Sequence, residues 1–200
     1  IRDTPVGYLP PVGPAVRFTV RYNHRDYIQP ASQISSVFGP KWTHDWHGFI
    51  KDNPGSPLAD VKYFVGGGGA RTFTGFATNT QSFAPQQFNQ ARLRRTDAGG
   101  YEMTFPDGSR KLFGLRQGGA VFLTQVADPA GNAVTLTWNG SRLEALTDAI
   151  GQTTTLSYEH PSAPLLITKG TDPFGRFASF GYTPFDLPLV NPTNLTRVYA

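Results

Sequence analysis

A chain of 200 residues with a net charge of +4 can fold as one or two domains around a genuine core. It has no cysteine, which excludes a disulfide framework and any thiolate nucleophile or metal site, and no apolar run of the roughly 18 residues a membrane helix needs. Basic residues are scattered apart from Arg92, Arg94 and Arg95, so no stripe can follow a phosphate backbone and no nucleic-acid partner is expected. The 22 glycines and 17 prolines beside 13% aromatic residues favour many short strands joined by turns, an all-β fold.

The first fifteen residues form a Pro-rich segment. Its stretch from Tyr8 to Pro14 (YLPPVGP) suits the covering of a sheet edge, because proline cannot extend a ladder. No leader with basic and then apolar residues is visible and the chain opens on Ile1, so a processed or excised piece of a longer protein is expected.

Residues 16–120 read as a succession of β-hairpins. Within them, WTHDWH places His44, Asp45 and His47 close together, as a metal site would need. Strand alternation sends the two imidazoles to opposite faces, so an aromatic strand with exposed polar residues is expected instead. Trp42 and Trp46 are the candidates for contact with a ligand such as a sugar ring. The run Gly66 to Gly69 lacks the helix start and the Lys-Ser/Thr pair of a phosphate loop, and is expected to be a flexible hairpin loop. Asp107 with Gly108 is a second hairpin signal.

Residues 121–182 repeat a phrase: Asp, Gly three positions on, and an aromatic ten positions after the Asp. It occurs as Asp128, Gly131, Trp138; as Asp148, Gly151, Tyr158; and as Asp172, Gly175, Tyr182. Asp at the first place, Pro at the second in two units and Gly at the fourth is turn chemistry. Past each turn the residues alternate, with Val134, Leu136, Trp138, then Thr154, Leu156, Tyr158, then Ala178, Phe180, Tyr182 on one face and a Thr-rich row on the other. Leu123, Leu143 and Ile167 stand five positions before each Asp. The expected fold is therefore an antiparallel meander of short hairpin repeats forming one curved sheet. Residues 183–200 read as a linker and the start of a further repeat, with Leu195 and Val198 in its apolar places and Ala200 where its Asp would fall.

The phrase, together with Tyr22-Asn23, the Gly39 to Trp42 segment and the strand pairs of the middle region, resembles the YD repeats of the Rhs family and the region that precedes them. Bacterial toxin-complex shells and the teneurins share that family. The resemblance covers about Val16 to Tyr182. It implies a hollow β-shell, secreted or at the bacterial cell surface, whose partners are the remainder of the parent shell and an enclosed C-terminal toxin domain. The family's self-cleaving segment has no counterpart here.

Two functions follow as expectations. One is a non-catalytic wall segment; the other is a carbohydrate- or cell-surface-binding module, with glycans as partners. No catalytic residue, cofactor or metal ligand is nominated, because glutamates are few and most aspartates fall at turns. The face taken by the aromatic column Trp138, Tyr158, Tyr182 separates the two readings. A sheet sector with free edges is further expected to dimerise, to cover its apolar face with the segment from Tyr8 to Pro14, or to be marginally soluble.

Overall fold

The computed structural model describes residues 1–23, 37–39 and 41–182, with the backbone alone for 183 and 194–199. Every strand pairing in it is antiparallel, and no helix occurs among the described residues. The fold is all-β, as the Gly, Pro and aromatic content requires.

Two sheets divide the chain. Strands β1 (Arg2–Tyr8), β2 (Val16–Tyr22) and β3 (Trp42–His44) form the smaller one, in that order. The larger begins with β4 (Phe49–Lys51), β5 (Val61–Phe64) and β6 (Ala70–Phe73), followed by β7 (Arg92–Arg95), β8 (Tyr101–Thr104), β9 (Arg110–Gln117) and β10 (Ala120–Ala127). It continues through β11 (Ala133–Asn139), β12 (Arg142–Thr147), β13 (Thr153–Ser157), β14 (Lys169–Thr171), β15 (Phe177–Thr183) and β16 (Asn194–Tyr199). Strand β10 is the node. It pairs with β9 along its length, with β4 through Val121 and Phe122, and with β11 through Gln125 to Ala127, so three runs of strands meet there.

One turn recurs along the large sheet. In hairpins opening at Val65, Thr96, Phe105, Asp128, Asp148 and Asp172, the first residue donates its N–H to the carbonyl four residues on and accepts from the N–H three on. The residue three on is always glycine with φ between 77° and 106°. This is the three-residue hairpin loop closed by a left-handed glycine, a conformation that costs other residues. Only the last three copies begin with Asp.

The run Gly66 to Gly69 closes the β5–β6 hairpin, but it is packed more tightly than a flexible loop. A Cβ on Gly66 would overlap the Asp45 carbonyl, and one on Gly67 would strike the Arg21 side chain. Glycine is needed there for approach as much as for conformation.

The apolar face of the repeats is covered by the small sheet. Val6, Val16, Phe18 and Val20 join Val134, Leu136, Leu143, Leu146, Leu156, Ile167 and Phe180 in one buried cluster, with the Phe18 and Phe180 rings 6.1 Å apart. At about 25 cal/mol per Å² of apolar surface, such burial is the main stabilising term of the fold. Pro5 falls where the β1–β2 register slips between Asp3 and Val6, the position at which an edge strand tolerates proline.

Candidate functional site

Each repeat turn is wired through its aspartate. One carboxylate oxygen accepts the backbone N–H four residues on, at 2.9 Å in all three units: Asn132 to Asp128, Gln152 to Asp148, Arg176 to Asp172. The other oxygen takes a donor that differs from unit to unit. Asn132 Nδ2 supplies it to Asp128 at 3.0 Å, Arg176 Nε to Asp172 at 2.6 Å, and the hydroxyl of Tyr8 to Asp148 at 2.9 Å. The Asn132 bonds hold the Asp128 carboxyl below the usual carboxylate range. Asp148 and Asp172 are buried, with their lone pairs committed to backbone and side-chain donors. Gly131, Gly151 and Gly175 have φ of 93°, 88° and 81°.

The aromatic column points inward. Trp138, Tyr158 and Tyr182 are half-buried against the core cluster, and each ends its polar tip on the backbone carbonyl fifteen residues earlier. The Trp138 indole N–H donates to Leu123 at 2.8 Å, the Tyr158 hydroxyl to Leu143 at 2.9 Å, and the Tyr182 hydroxyl to Ile167. Burial pushes both phenols well above the ordinary tyrosine range. The accepting residues are those that stand five positions before each Asp. Each unit is thus a hairpin whose far aromatic is tied to its own first strand or, at Ile167, to the residue two places before that strand. The spacing between units lengthens from 20 to 24 residues only through the loop between Tyr158 and Ile167, while the fifteen-residue tie is unchanged.

The C-terminal strand repeats this register. Tyr182 pairs with Leu195 and Phe180 with Val198, with a slip after Gly181, just as Trp138 pairs with Leu143 and Leu136 with Leu146, with a slip after Thr137. Ala200, the expected Asp place, lies outside the described residues.

The two nominated tryptophans differ. Trp46 is buried, 7% exposed, and its indole donates to the Arg17 carbonyl at 2.8 Å. Trp42 is half-buried with its ring 5.2 Å from that of Tyr22. Strand alternation fails at His44 and His47. Strand β3 ends at His44, the His47 N–H bonds back to the His44 carbonyl in a turn, and the chain crosses to the other sheet. Both imidazoles are therefore buried on one side, stacked with centroids 5.5 Å apart, rather than exposed on opposite faces. No group of three or more His, Cys, Asp or Glu side chains suited to a metal ion occurs among the described residues.

Two clefts open beside this framework. One, of about 190 Å³, contains Asp52, Tyr101 and Arg116. Arg116 grips Asp52 with both guanidinium nitrogens at 2.8 and 2.7 Å, and the Tyr101 hydroxyl adds a bond of 2.8 Å. Arg116 above all, with Tyr101, holds the Asp52 carboxyl below the usual range. Closed in this way, the three groups tether the loop after β4 to β8 and β9. The second cleft, of about 290 Å³, lies between the sheets and is bordered by Arg2, Arg17, Lys111, Asp45 and Trp46. Asp45 is bound by Arg21 at 2.6 and 3.1 Å. Residues so far apart in sequence give no local motif; among those named, Asp45 and Trp46 are marked in the chain, for a metal site and a sugar contact respectively.

No family model matches the chain, and no curated protein matches it.

Proposed function

We propose that this chain is a non-catalytic wall segment of Rhs/YD-repeat type, part of a β-shell that encloses or displays another domain in a bacterial toxin or secretion setting, outside the cell. One observation carries the reading. Three successive units use the same Asp turn and the same tie from aromatic tip to the carbonyl fifteen residues back, and a further strand takes up the next register. A device copied without change in geometry while the linking loops vary is building material. The inward column favours this over glycan binding, since rings whose tips are bonded to the backbone are withdrawn from solvent. The carboxylates of the repeats are likewise saturated by turn donors, which leaves them unsuited to proton transfer.

The partners of such a segment are the neighbouring parts of the same wall and the domain it surrounds. The parental reading frame and the particle it encodes test this. Further Asp-x-x-Gly units at comparable spacing, in a purified product that electron microscopy shows as a hollow shell, support the reading. A compact particle with no further units overturns it.

A further inference from the structure

We propose that the cleft between the two sheets is a docking site for an acidic side chain of a partner polypeptide, held by Arg2, Arg17 and Lys111. The three cations come from β1, β2 and β9 and border one cleft of about 290 Å³. Among the described residues none of them has a carboxylate within ion-pair distance. The acid that shares the cleft, Asp45, is already clasped by the Arg21 guanidinium. Lys111 Nζ donates to the Tyr63 hydroxyl at 3.3 Å and lies 5.8 Å from the centroid of the Phe105 ring, neutral partners that supply no counter-charge.

Three such charges around one open cleft, Arg2 and Arg17 exposed and Lys111 half-buried, favour an anion, and the planar guanidinium of arginine matches a carboxylate in two parallel bonds. The rest of the lining sets the kind of anion. Thr19 is buried and shares a hydrogen bond of 2.9 Å with Thr4, giving a polar floor. Val126, half-buried, gives an aliphatic patch. Trp46 presents almost no free ring face on which a pyranose would stack, whereas the patch at Val126 accepts a Leu- or Val-sized side chain next to the acid. An extended peptide with Glu or Asp flanked by apolar residues meets all three conditions. The inference stands apart from the wall reading, and either can fail without the other.

The test is calorimetric titration of the whole chain with the peptide acetyl-Gly-Leu-Glu-Leu-Gly-amide. Binding is expected, weakened at about 0.5 M salt through screening. Exchanging the peptide Glu for Gln, or making Arg17→Gln together with Lys111→Gln in the protein, is expected to weaken it about tenfold or more. Arg92→Gln, an exposed charge outside the cleft, should leave it unchanged, and an unaltered melting temperature verifies that the double variant is folded. Absence of binding overturns the proposal, as does equal binding of the Gln peptide or of the double variant. Tighter binding of glucuronic acid or inorganic phosphate than of the peptide also overturns it, assigning the cleft to an acidic sugar or a simple anion.

Discussion

His44 is enclosed by the rings of Phe18 at 4.9 Å and Phe38 at 5.9 Å and by the stacked imidazole of His47. Loss of hydration, and secondly a charge on His47, push its pKa well below the ordinary histidine value. The folded chain therefore keeps this ring neutral, while the unfolded chain takes up a proton once pH falls below about 6.5. The unfolded state then binds more protons, so stability rises with pH through this window and is lost as pH falls from about 6.5 toward the lower folded value. The depressed carboxyls of Asp52 and Asp128 add their own acid loss, but below about pH 4, where free carboxylates titrate. Urea midpoints between pH 7.5 and 5 should decline in the parent chain and decline less in His44→Phe, whose ring suits the same apolar walls. Superimposable pH profiles would refute the buried neutral imidazole.

The hairpin is the next scale, and its defining bond is the tie from Trp138, Tyr158 or Tyr182 to the strand fifteen residues earlier. Tyr158→Phe keeps the ring and removes the donor, leaving the Leu143 carbonyl half-buried without it. A cost of about 1–2 kcal/mol is expected, measured as a lower urea midpoint with an unchanged slope. An unchanged midpoint would show the column to be held by packing alone. Much of this element is legible in the chain. The Asp-to-Gly step, the alternation past the turn and the apolar residue five places before it all predict what is observed, because turn chemistry and strand period are local. The tie itself was signalled only by the choice of Trp and Tyr over Phe at one place in each unit. The earlier turns at Val65, Thr96 and Phe105 share its backbone bonds without its Asp; the Gly66 to Gly69 run and Asp107 with Gly108 mark the first and the last, and the Thr96 turn carries no such mark. Alternation misled at His44 and His47 because it assumes a strand that continues, and here the chain leaves one sheet for the other. The clefts were illegible for a plainer reason: their residues are distant in the chain and meet only through the pairing of the large sheet in one case and the packing of the two sheets in the other.

At the scale of the molecule, the problem set by a one-faced meander is what covers its apolar side. The small sheet answers it, and the N-terminal segment fastens it to the repeats. Tyr8 bonds to Asp148 and stands edge-on to Phe174 at 5.4 Å, and Arg176 reaches the Gly7 carbonyl at 3.2 Å. The large sheet does not close: β6 and β16 lie at opposite ends of its strand path. Covered face and open ends make different predictions. Val6 on β1 is 4% exposed and its side chain joins the shared core, so Val6→Asp places an unpaired charge between the sheets. The small sheet should loosen, and an apolar dye that the parent chain binds weakly should fluoresce strongly, with light scattering showing larger particles as the uncovered face associates. Leu9→Asp is the matched control, because Leu9 is 74% exposed on the same segment and its substitution should change neither signal. Equal dye binding by Val6→Asp and the parent chain would mean that the repeat face is not held by the small sheet. Association that persists in the parent chain without dye binding would instead place the contact at the open strand ends, where unpaired backbone groups remain.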